Sequence, residues 1–211
     1  MTHSPDEAKR ESLHADVVIV GAGPAGLSCA IRLAQLYHEH TPTNGDTDFS
    51  ADNILVIDKA AEMGMHNLSG AILDPRALKE LLPDAEFKSV PFDCHVEHEK
   101  LIWLTKNNNY SWPFIPNAMR NINYPIVSLS LLSKYLGEYA EKQGISVISA
   151  TSATQLLYEN DTVIGVQTDD KGFSRGGQKK NNFEPGMNLQ ANITVLAEGA
   201  RGSLAKQLIK K

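Results

Sequence analysis

The sequence predicts an α/β fold built on a parallel sheet with helices between its strands. Three observations predict it. An apolar strand at residues 16–20 is followed at once by the glycine-rich turn of residues 21–26 and then by an amphipathic helix. A second apolar strand, residues 53–58, completes a β-α-β unit, which makes a right-handed crossover between parallel strands. The chain shows no internal repeat and no linker, so we expect one architecture of the Rossmann type.

Composition places the chain among globular proteins. It has 211 residues, of which 42% are hydrophobic and 21% charged, and a formal net charge of -5. This weakly acidic balance disfavours nucleic acid as a partner. No signal peptide and no apolar run long enough to span a membrane is visible, which is typical of a cytosolic protein or of a mature chain whose presequence has been removed. Cys29 and Cys94 lie far apart, which excludes a disulfide framework and a four-cysteine cluster within this chain, and we expect both thiols to be buried.

The first half of the chain divides as follows. Residues 1–14 are polar and predict a flexible tail, and residues 15–211 form the folded domain. In the first helix Leu27, Ala30, Ile31 and Ala34 recur at helical spacing. A polar loop precedes the second strand, and residues 74–84 predict a short helix that begins near Pro75 and ends at Pro83.

The second half continues with strands around one long helix. Residues 100–106 and 110–115 predict a hairpin, and residues 127–144 predict a helix that ends at Gly144. Three strands follow, at residues 145–150, 151–159 and 162–169, with a turn at Asn160 and Asp161. The polar residues 171–188 are expected to be exposed. A last apolar strand, residues 193–197, leads through a glycine turn into a helix.

The glycine turn carries the clearest chemistry. Gly21 permits a tight turn, Gly23 lets a pyrophosphate approach the backbone, and Gly26 lets the helix pack closely on the strand. The helix N-terminus adds N–H groups and the positive end of a dipole. The pattern predicts dinucleotide binding by residues Gly21, Ala22, Gly23, Pro24, Ala25 and Gly26.

An acid ends the second strand. Asp58 stands where a carboxylate can accept hydrogen bonds from an adenosine ribose. It follows Gly21 by 37 positions (58 minus 21), longer than the interval of about 20 that is typical of such acids, and the loop before residue 53 accounts for the excess. The alternative is a solvated acid at a strand end. We assign Asp58 and its neighbour Lys59 to the candidate cofactor site.

Three stretches of the sequence resemble known flavoproteins. Residues 17–33, VVIVGAGPAGLSCAIRL, are similar to the FAD-binding start of many of them. Residues 63–84, MGMHNLSGAILDPRALKELLPD, are more specific and resemble a segment of the electron transfer flavoprotein–ubiquinone oxidoreductase (ETF dehydrogenase) family. Residues 183–208, FEPGMNLQANITVLAEGARGSLAKQL, resemble the second flavin-contacting stretch of the same family.

The resemblance implies the fold, the cofactors and further site residues. It implies a Rossmann-like, glutathione-reductase-like FAD-binding fold, a parallel sheet with a β-meander, which is incomplete at the C-terminus of this chain. The site would include Ser69, Gly70 and Ala71 near the flavin, and Glu198 and Gly199 in the second flavin loop. A [4Fe-4S] cluster takes part in the family, and its ligands, with the quinone-binding portion, are absent from this chain.

The resemblance also implies a reaction and partners. Electrons would pass from reduced electron transfer flavoprotein through FAD to ubiquinone, so no side chain is needed as nucleophile or general base. We expect the 211-residue chain alone not to complete that reaction. A peripheral position on the inner membrane would follow, on the cytoplasmic side if bacterial and on the matrix side if mitochondrial. The membrane contact would be residues 63–84, whose apolar positions form one helical face; the alternative is a helix packed on the sheet.

Two other functions remain open. The chain could belong to another FAD-dependent oxidoreductase, of the geranylgeranyl reductase or aromatic hydroxylase type, or be a non-catalytic fragment. Residues 93–100, DCHVEHEK, contain two histidines and a cysteine, but their spacing favours an exposed loop over a metal site. For His66 a structural hydrogen bond is favoured over a contact to cofactor or quinone.

Overall fold

The structure is a computed structural model that describes residues 10–40, 51–174 and 178–210. The five α-helices within those ranges are α1 (Pro24–His40), α2 (Arg76–Leu81), α3 (Asp84–Ser89), α4 (Leu129–Lys142) and α5 (Ser203–Lys210). The strands are β1 (Ser12–Val20), β2 (Ile54–Ile57), β3 (Gly70–Ile72), β4 (Phe92–His95), β5 (Ile102–Leu104), β6 (Asn109–Ser111), β7 (Pro125–Ser128), β8 (Ser146–Ile148), β9 (Ala153–Glu159), β10 (Thr162–Thr168), β11 (Lys171–Phe173), β12 (Lys179–Glu184) and β13 (Asn188–Leu196).

A six-stranded sheet organises the chain, in the order β8-β2-β1-β13-β10-β9. The first four strands are parallel, and β10 and β9 add to β13 in antiparallel fashion. The predicted α/β fold of the Rossmann-like type is confirmed, with the meander at one side of the parallel sheet. Because β1, β2 and β13 run in one direction, the loops that follow them all emerge at the same edge of the sheet.

Both faces of β1 and β2 are covered. Val18, Ile19, Ile54, Val56 and Ile57 are fully buried, as expected of continuous apolar runs in a parallel sheet. One face packs against α1 and α4, and the other packs against the meander and Leu204 of α5. The predicted apolar spacing of the first helix is confirmed, since Leu27, Ala30, Ile31 and Ala34 are buried.

The long helix α4 has a defined start and end. The Ser128 hydroxyl accepts a hydrogen bond from the N–H of Leu131 (3.5 Å), which caps its first turn. Gly144 adopts φ +86° just after the helix, where glycine is the residue that takes a left-handed conformation most readily. The helix predicted at residues 127–144 is confirmed, and its Leu132, Leu136 and Tyr139 face the core.

The flexible tail was predicted to extend to residue 14, but the ordered sheet already begins at Ser12. Strand β1 begins at Ser12, where residues 12–15 pair with residues 188–191 of β13. The Arg10 guanidinium forms an ion pair with Asp170 and donates to the Gly186 carbonyl (3.0 Å). These bonds hold residues 10–14 on the sheet, whereas residues 1–9 lie outside the described ranges.

Small sheets flank the main one. The order β3-β7-β4 makes a three-stranded sheet, and the first three residues of the loop predicted at 93–100 belong to its strand β4. The predicted hairpin exists as the pair β5–β6 and is shorter than expected, with Trp103 opposite Tyr110. The exposed segment after β10 contains the ribbon β11–β12.

The apolar face predicted for the membrane contact is only partly exposed, since Met65, Leu68 and Ile72 of residues 63–84 are exposed and the leucines of α2 are not. The predicted helix at residues 74–84 is α2, which Pro83 separates from the start of α3 at Asp84. Leu78 and Leu82 are 6% and 3% exposed and belong to the main core, together with Leu81. The apolar face of α2 therefore packs on the protein, the alternative that the sequence left open. Within the described ranges, no helix is long and apolar enough to cross a membrane.

The expectation of buried thiols is also wrong, because Cys29 and Cys94 are both exposed. Cys29 lies on the face of α1 that turns away from the sheet, and Cys94 lies on β4. No group of three or more histidine, cysteine, aspartate or glutamate side chains in the described part of the chain is arranged to hold a metal ion.

Candidate functional site

The turn after β1 requires glycine at Gly21. This residue adopts φ +113°, and its N–H donates to the Ile57 carbonyl at the end of β2 (2.8 Å). A Cβ atom added to it would lie 2.4 Å from the carbonyl oxygen of Ala197, which follows β13. Gly21 thus permits the turn and lets the backbones after β1 and β13 approach each other.

Gly26 and Gly23 have opposite surroundings. A Cβ on Gly26 would lie 1.9 Å from the Gly21 carbonyl oxygen and 3.2 Å from the Cβ of Ala197, so helix α1 packs on the turn through bare backbone. A Cβ on Gly23 would meet no protein atom within 4 Å. The missing side chain at Gly23 therefore leaves room outside the protein, where a ligand can approach the backbone.

The N-terminus of α1 completes an anion-binding geometry. The helix begins at Pro24, and its first bond runs from the Leu27 N–H to the Gly23 carbonyl (3.0 Å). Its first turn contains no acidic residue, so the positive end of the helix dipole has no neighbouring carboxylate within that turn. Together with the open Gly23, this arrangement suits a pyrophosphate.

The Asp58 carboxylate ties the glycine turn to the end of β2. Its Oδ2 accepts a hydrogen bond from the Ala22 N–H (2.8 Å), and its Oδ1 accepts one from the Ala60 N–H (2.8 Å). Each carboxylate oxygen has a second lone pair, so both bonds are compatible with a ribose hydroxyl as a further donor. The neighbouring Lys59 is exposed. The clamp on Ala22 is a function that sequence reasoning did not assign to Asp58.

The loop after β13 lies beside the glycine turn. The Ala197 N–H donates to the Val20 carbonyl (2.8 Å), which continues the pairing of β1 and β13 into their loops. Gly199 adopts φ +76°, is exposed, and has no protein atom within 4 Å of an added Cβ. Two segments separated by some 170 residues thus meet at one sheet edge, and each presents an open glycine.

Glu198 caps helix α5. Its carboxylate accepts hydrogen bonds from the N–H groups of Ser203, Leu204 and Ala205 (3.0 Å each) and from the Ser203 hydroxyl (3.1 Å). Partial burial alone would raise the pKa of this carboxyl, but the hydrogen bonds from Ala205, Leu204 and Ser203 outweigh burial and lower it. No local capping pattern predicts this role, because Glu198 lies five positions before the first residue of the helix.

Removing this charge should weaken the fold in a pH-dependent way. We expect Glu198→Gln to lower the free energy of unfolding at pH 7 by about 1 kcal/mol, because an uncharged amide caps the helix less well. Since the folded pKa lies below its ordinary value of 4.5, the wild-type advantage is present above that pH and is lost as pH falls through the folded pKa. Urea unfolding at pH 7 and pH 3 measures both values; an unchanged difference at pH 3 would contradict the role of the charge.

The third predicted segment lies on a separate sheet. Gly70 and Ala71 belong to β3 and pair with Ser128 and Val127 of β7, and the Ser69 carbonyl accepts from the Leu129 N–H (3.2 Å). Ser69 and Gly70 are exposed, and Ala71 is half-buried.

A cleft of about 590 Å³ connects the continuation of this strand with the glycine turn. It is lined on one side by Pro24 and Ser28 of α1 and on another by Leu73 and Asp74. The cleft therefore contains Pro24 of the first segment and residues that follow the third segment, whereas Ser69, Gly70 and Ala71 are not among its lining residues. His66, on the way to Ser69, is exposed.

Comparison with known proteins gives a family match over most of the chain. The family model described as pyridine nucleotide-disulphide oxidoreductase matches residues 15–206. The matched region contains both glycine loops and every residue of the candidate site.

Curated relatives match the same region at higher specificity. The electron transfer flavoprotein-ubiquinone oxidoreductase of Arabidopsis thaliana mitochondria is 42% identical over 97% of this chain and 31% of its own length. The mitochondrial protein of Mus musculus is 43% identical over 96% and 32%. A probable member from Acinetobacter baylyi is 40% identical over 96% and 35%. The predicted resemblance is thereby confirmed, and the chain spans about a third of the length of these relatives.

Solved structures with the same fold are more distant. The chondrochloren halogenase CndH, described as a variant of FAD-dependent halogenases, has a TM-score of 0.58 at 17% identity and covers 92% of this chain and 39% of its own. A geranylgeranyl bacteriochlorophyll reductase-like protein from Thermoplasma acidophilum has a TM-score of 0.57 at 18% identity, covering 89% and 40%. At such identities the likeness establishes the fold alone.

Proposed function

This chain belongs to the family of pyridine nucleotide-disulphide oxidoreductases, and from that premise we propose that it is the FAD-binding part of an electron transfer flavoprotein–ubiquinone oxidoreductase. The observation that carries the proposal is the meeting of two glycine loops at the ends of the adjacent parallel strands β1 and β13. Identity above 40% to relatives of that name, over 97% of the chain in the Arabidopsis protein, supports this activity over the other flavin chemistries.

The residues of the site fit an FAD molecule. Open space over Gly23 and the N-terminus of α1 suit its pyrophosphate, and the free lone pairs of Asp58 suit the adenosine ribose. Gly199, equally open, would lie against the flavin side of the cofactor. Ser69, Gly70 and Ala71 are retained as candidate flavin contacts on the strength of the family resemblance. Lys59, exposed beside Asp58, is retained as a candidate contact.

The role of the protein is to hold and orient the cofactor. FAD, when bound, supplies the electron-transfer chemistry. The chain contributes backbone N–H groups, the clamp of Asp58 on Ala22, and the capped loop of Glu198, all of which fix positions rather than move protons. The [4Fe-4S] cluster that the resemblance implies finds no ligand group among the described residues.

The names of the relatives point to the partners. We propose electron transfer flavoprotein as the electron donor and ubiquinone as the acceptor, with a peripheral position on the inner membrane, on the matrix side in mitochondria or the cytoplasmic side in bacteria.

The membrane contact is better sought in the hairpin β5–β6 and the residues after it than in α2. There Trp103 and Trp112 are 66% and 51% exposed, and Tyr110, Phe114 and Met119 are also exposed. Aromatic side chains of this kind favour the interface between lipid head groups and tails.

Replacing these aromatics should weaken membrane binding. We expect Trp103→Ser with Trp112→Ser to reduce the fraction of the chain that floats with liposomes roughly tenfold, because two exposed aromatic anchors are lost. The matched control is Ile209→Ser in α5, where an equally apolar side chain is 84% exposed outside the hairpin. Equal flotation of the double variant and the wild type would contradict the hairpin as the contact.

The choice of electron donor tests the proposed activity. The chain is loaded with FAD, freed of oxygen and mixed with reduced electron transfer flavoprotein or with NADPH. Bleaching of the flavin absorbance of the chain by the flavoprotein, with little effect of NADPH, is the expected result. Rapid bleaching by NADPH alone would favour the geranylgeranyl reductase or hydroxylase alternative. A folded chain that carries no flavin would favour the non-catalytic alternative.

A further inference from the structure

Residues 63–69, which lead into the proposed flavin-side segment, lie along one face of helix α4. We propose that this face, made of Leu129, Ser130, Ser133 and Gly137, is a seat that positions Ser69, Gly70 and Ala71 against the cofactor. The inference rests on the proposed function, and it assigns a positioning role to residues in which sequence analysis found only helical periodicity.

The seat is formed by close contacts at its two ends. At Gly137 a Cβ would lie 1.9 Å from Sδ and 2.8 Å from Cε of Met63, so the thioether occupies the space of the missing side chain. At Gly64 a Cβ would lie 2.2 Å from the Ser130 carbonyl oxygen, and this glycine has φ +81°. The segment therefore approaches the helix through backbone and one flexible side chain.

Two hydrogen bonds hold the rest of the segment, residues 67–69, on helix α4 before β3 begins. The Asn67 amide donates to the hydroxyl of Ser133, which is fully buried (2.8 Å). The Leu129 N–H donates to the Ser69 carbonyl (3.2 Å), so the first turn of α4 holds the residue that begins the flavin-side segment. A buried hydroxyl with one side-chain partner fixes a loop because a shift of the loop would leave it unpaired.

These contacts connect the seat to the candidate site. Ser69 is followed directly by β3, which pairs with β7, and β7 continues through Ser128 into α4. Leu132 and Leu136 of α4 also line the cleft that contains Pro24. Displacing residues 63–69 from α4 would act on the cleft through β3, which leads to Leu73 and Asp74 in the cleft lining.

Filling the slot at Gly137 tests the seat. Gly137→Leu places a side chain where Met63 lies, and we expect about a tenfold weaker affinity for FAD and a changed visible circular dichroism of the bound flavin. The double variant Met63→Ala with Gly137→Leu should restore both, since leucine then occupies the volume that methionine leaves. Glu138→Leu, on the exposed side of the same helix, is the matched control and should bind FAD like the wild type.

Hydrogen exchange of residues 64–70 gives a readout that does not depend on flavin. Gly137→Leu should increase it, and the double variant should reverse the increase. Should Gly137→Leu fail to fold, Gly137→Ala gives the same comparison with a smaller side chain.

Two outcomes overturn the inference in different ways. In the first, the wild-type chain binds FAD, and the Gly137→Leu variant is less stable but binds FAD with unchanged affinity and dichroism. The seat would then be a packing contact without a positioning role. A folded wild-type chain that binds no FAD would refute the proposed function, and the positioning role with it.

Discussion

The Gly23→Ala chain is expected to fold as stably as the wild type and to bind FAD at least about 100-fold more weakly, a loss of roughly 2.7 kcal/mol. A Cβ at this position meets no protein atom within 4 Å, so nothing in the folded chain resists it. The same open space is where the pyrophosphate would approach the backbone at the start of α1. The methyl group would separate the phosphate oxygens from the N–H groups that should bind them.

Two measurements separate affinity from stability in this variant. Thermal unfolding without cofactor gives the stability, and quenching of FAD fluorescence on titration gives the affinity. An alanine chain that binds FAD as tightly as the wild type would show that the pyrophosphate lies elsewhere. A large fall in melting temperature without cofactor would show that the space over Gly23 is not open.

Gly26→Ala should have the opposite effect. We expect it to lower the free energy of unfolding by about 3 kcal/mol, because its Cβ would lie 1.9 Å from the Gly21 carbonyl oxygen and force α1 away from β1 and β13. Alanine is a better helix former than glycine by about 1 kcal/mol, so a destabilisation must come from this clash.

Urea unfolding of the two alanine variants without cofactor makes the comparison. They differ only in which of two glycines, three positions apart in one turn, carries the methyl group. A Gly26→Ala chain as stable as Gly23→Ala would mean that helix and turn can separate without cost. The close packing of α1 on the turn would then not be a structural requirement.

Local sequence patterns predicted the glycine turn because most of the residues that form it are close together in the chain. The approach of Gly21 to Ala197 depends on a distant residue, whereas the strand before the turn, the helix after it and the contact of Gly26 with Gly21 are local in the chain. The same holds for α4, whose apolar period and flanking Gly144 are local signals. Such elements are predictable because the residues that determine them are neighbours in sequence.

Other features depend on distant partners. Residues 12–14 read as a tail because their stabilisation comes from pairing with residues 188–190 of β13. The apolar face of α2 was visible in the sequence, but helical periodicity identifies a face and not what covers it. Here the core covers it, and Leu78 and Leu82 are buried. The exposure of Cys29 was mispredicted for a similar reason, because the presence of a thiol on a helix does not show which face it lies on.

Two of the predicted site residues have structural roles that the sequence did not show. Asp58 and Glu198 were assigned to the cofactor, and both carboxylates also bind backbone N–H groups that shape the loops around them. The seat on α4 had no sequence signal. A glycine within a helical pattern, such as Gly137, only lowers the expected helix stability, and its role is visible once the Met63 side chain is seen in the space of the missing side chain.

Titration of the folded 211-residue chain with FAD and, separately, with FMN tests the central claim most directly. FMN carries the flavin without the pyrophosphate bridge and adenosine that the glycine turn and Asp58 are proposed to hold. We expect one FAD per chain and an affinity for FMN at least about 100-fold lower. A chain that is folded by circular dichroism and leaves FAD unbound, or binds both flavins equally well, would contradict this claim.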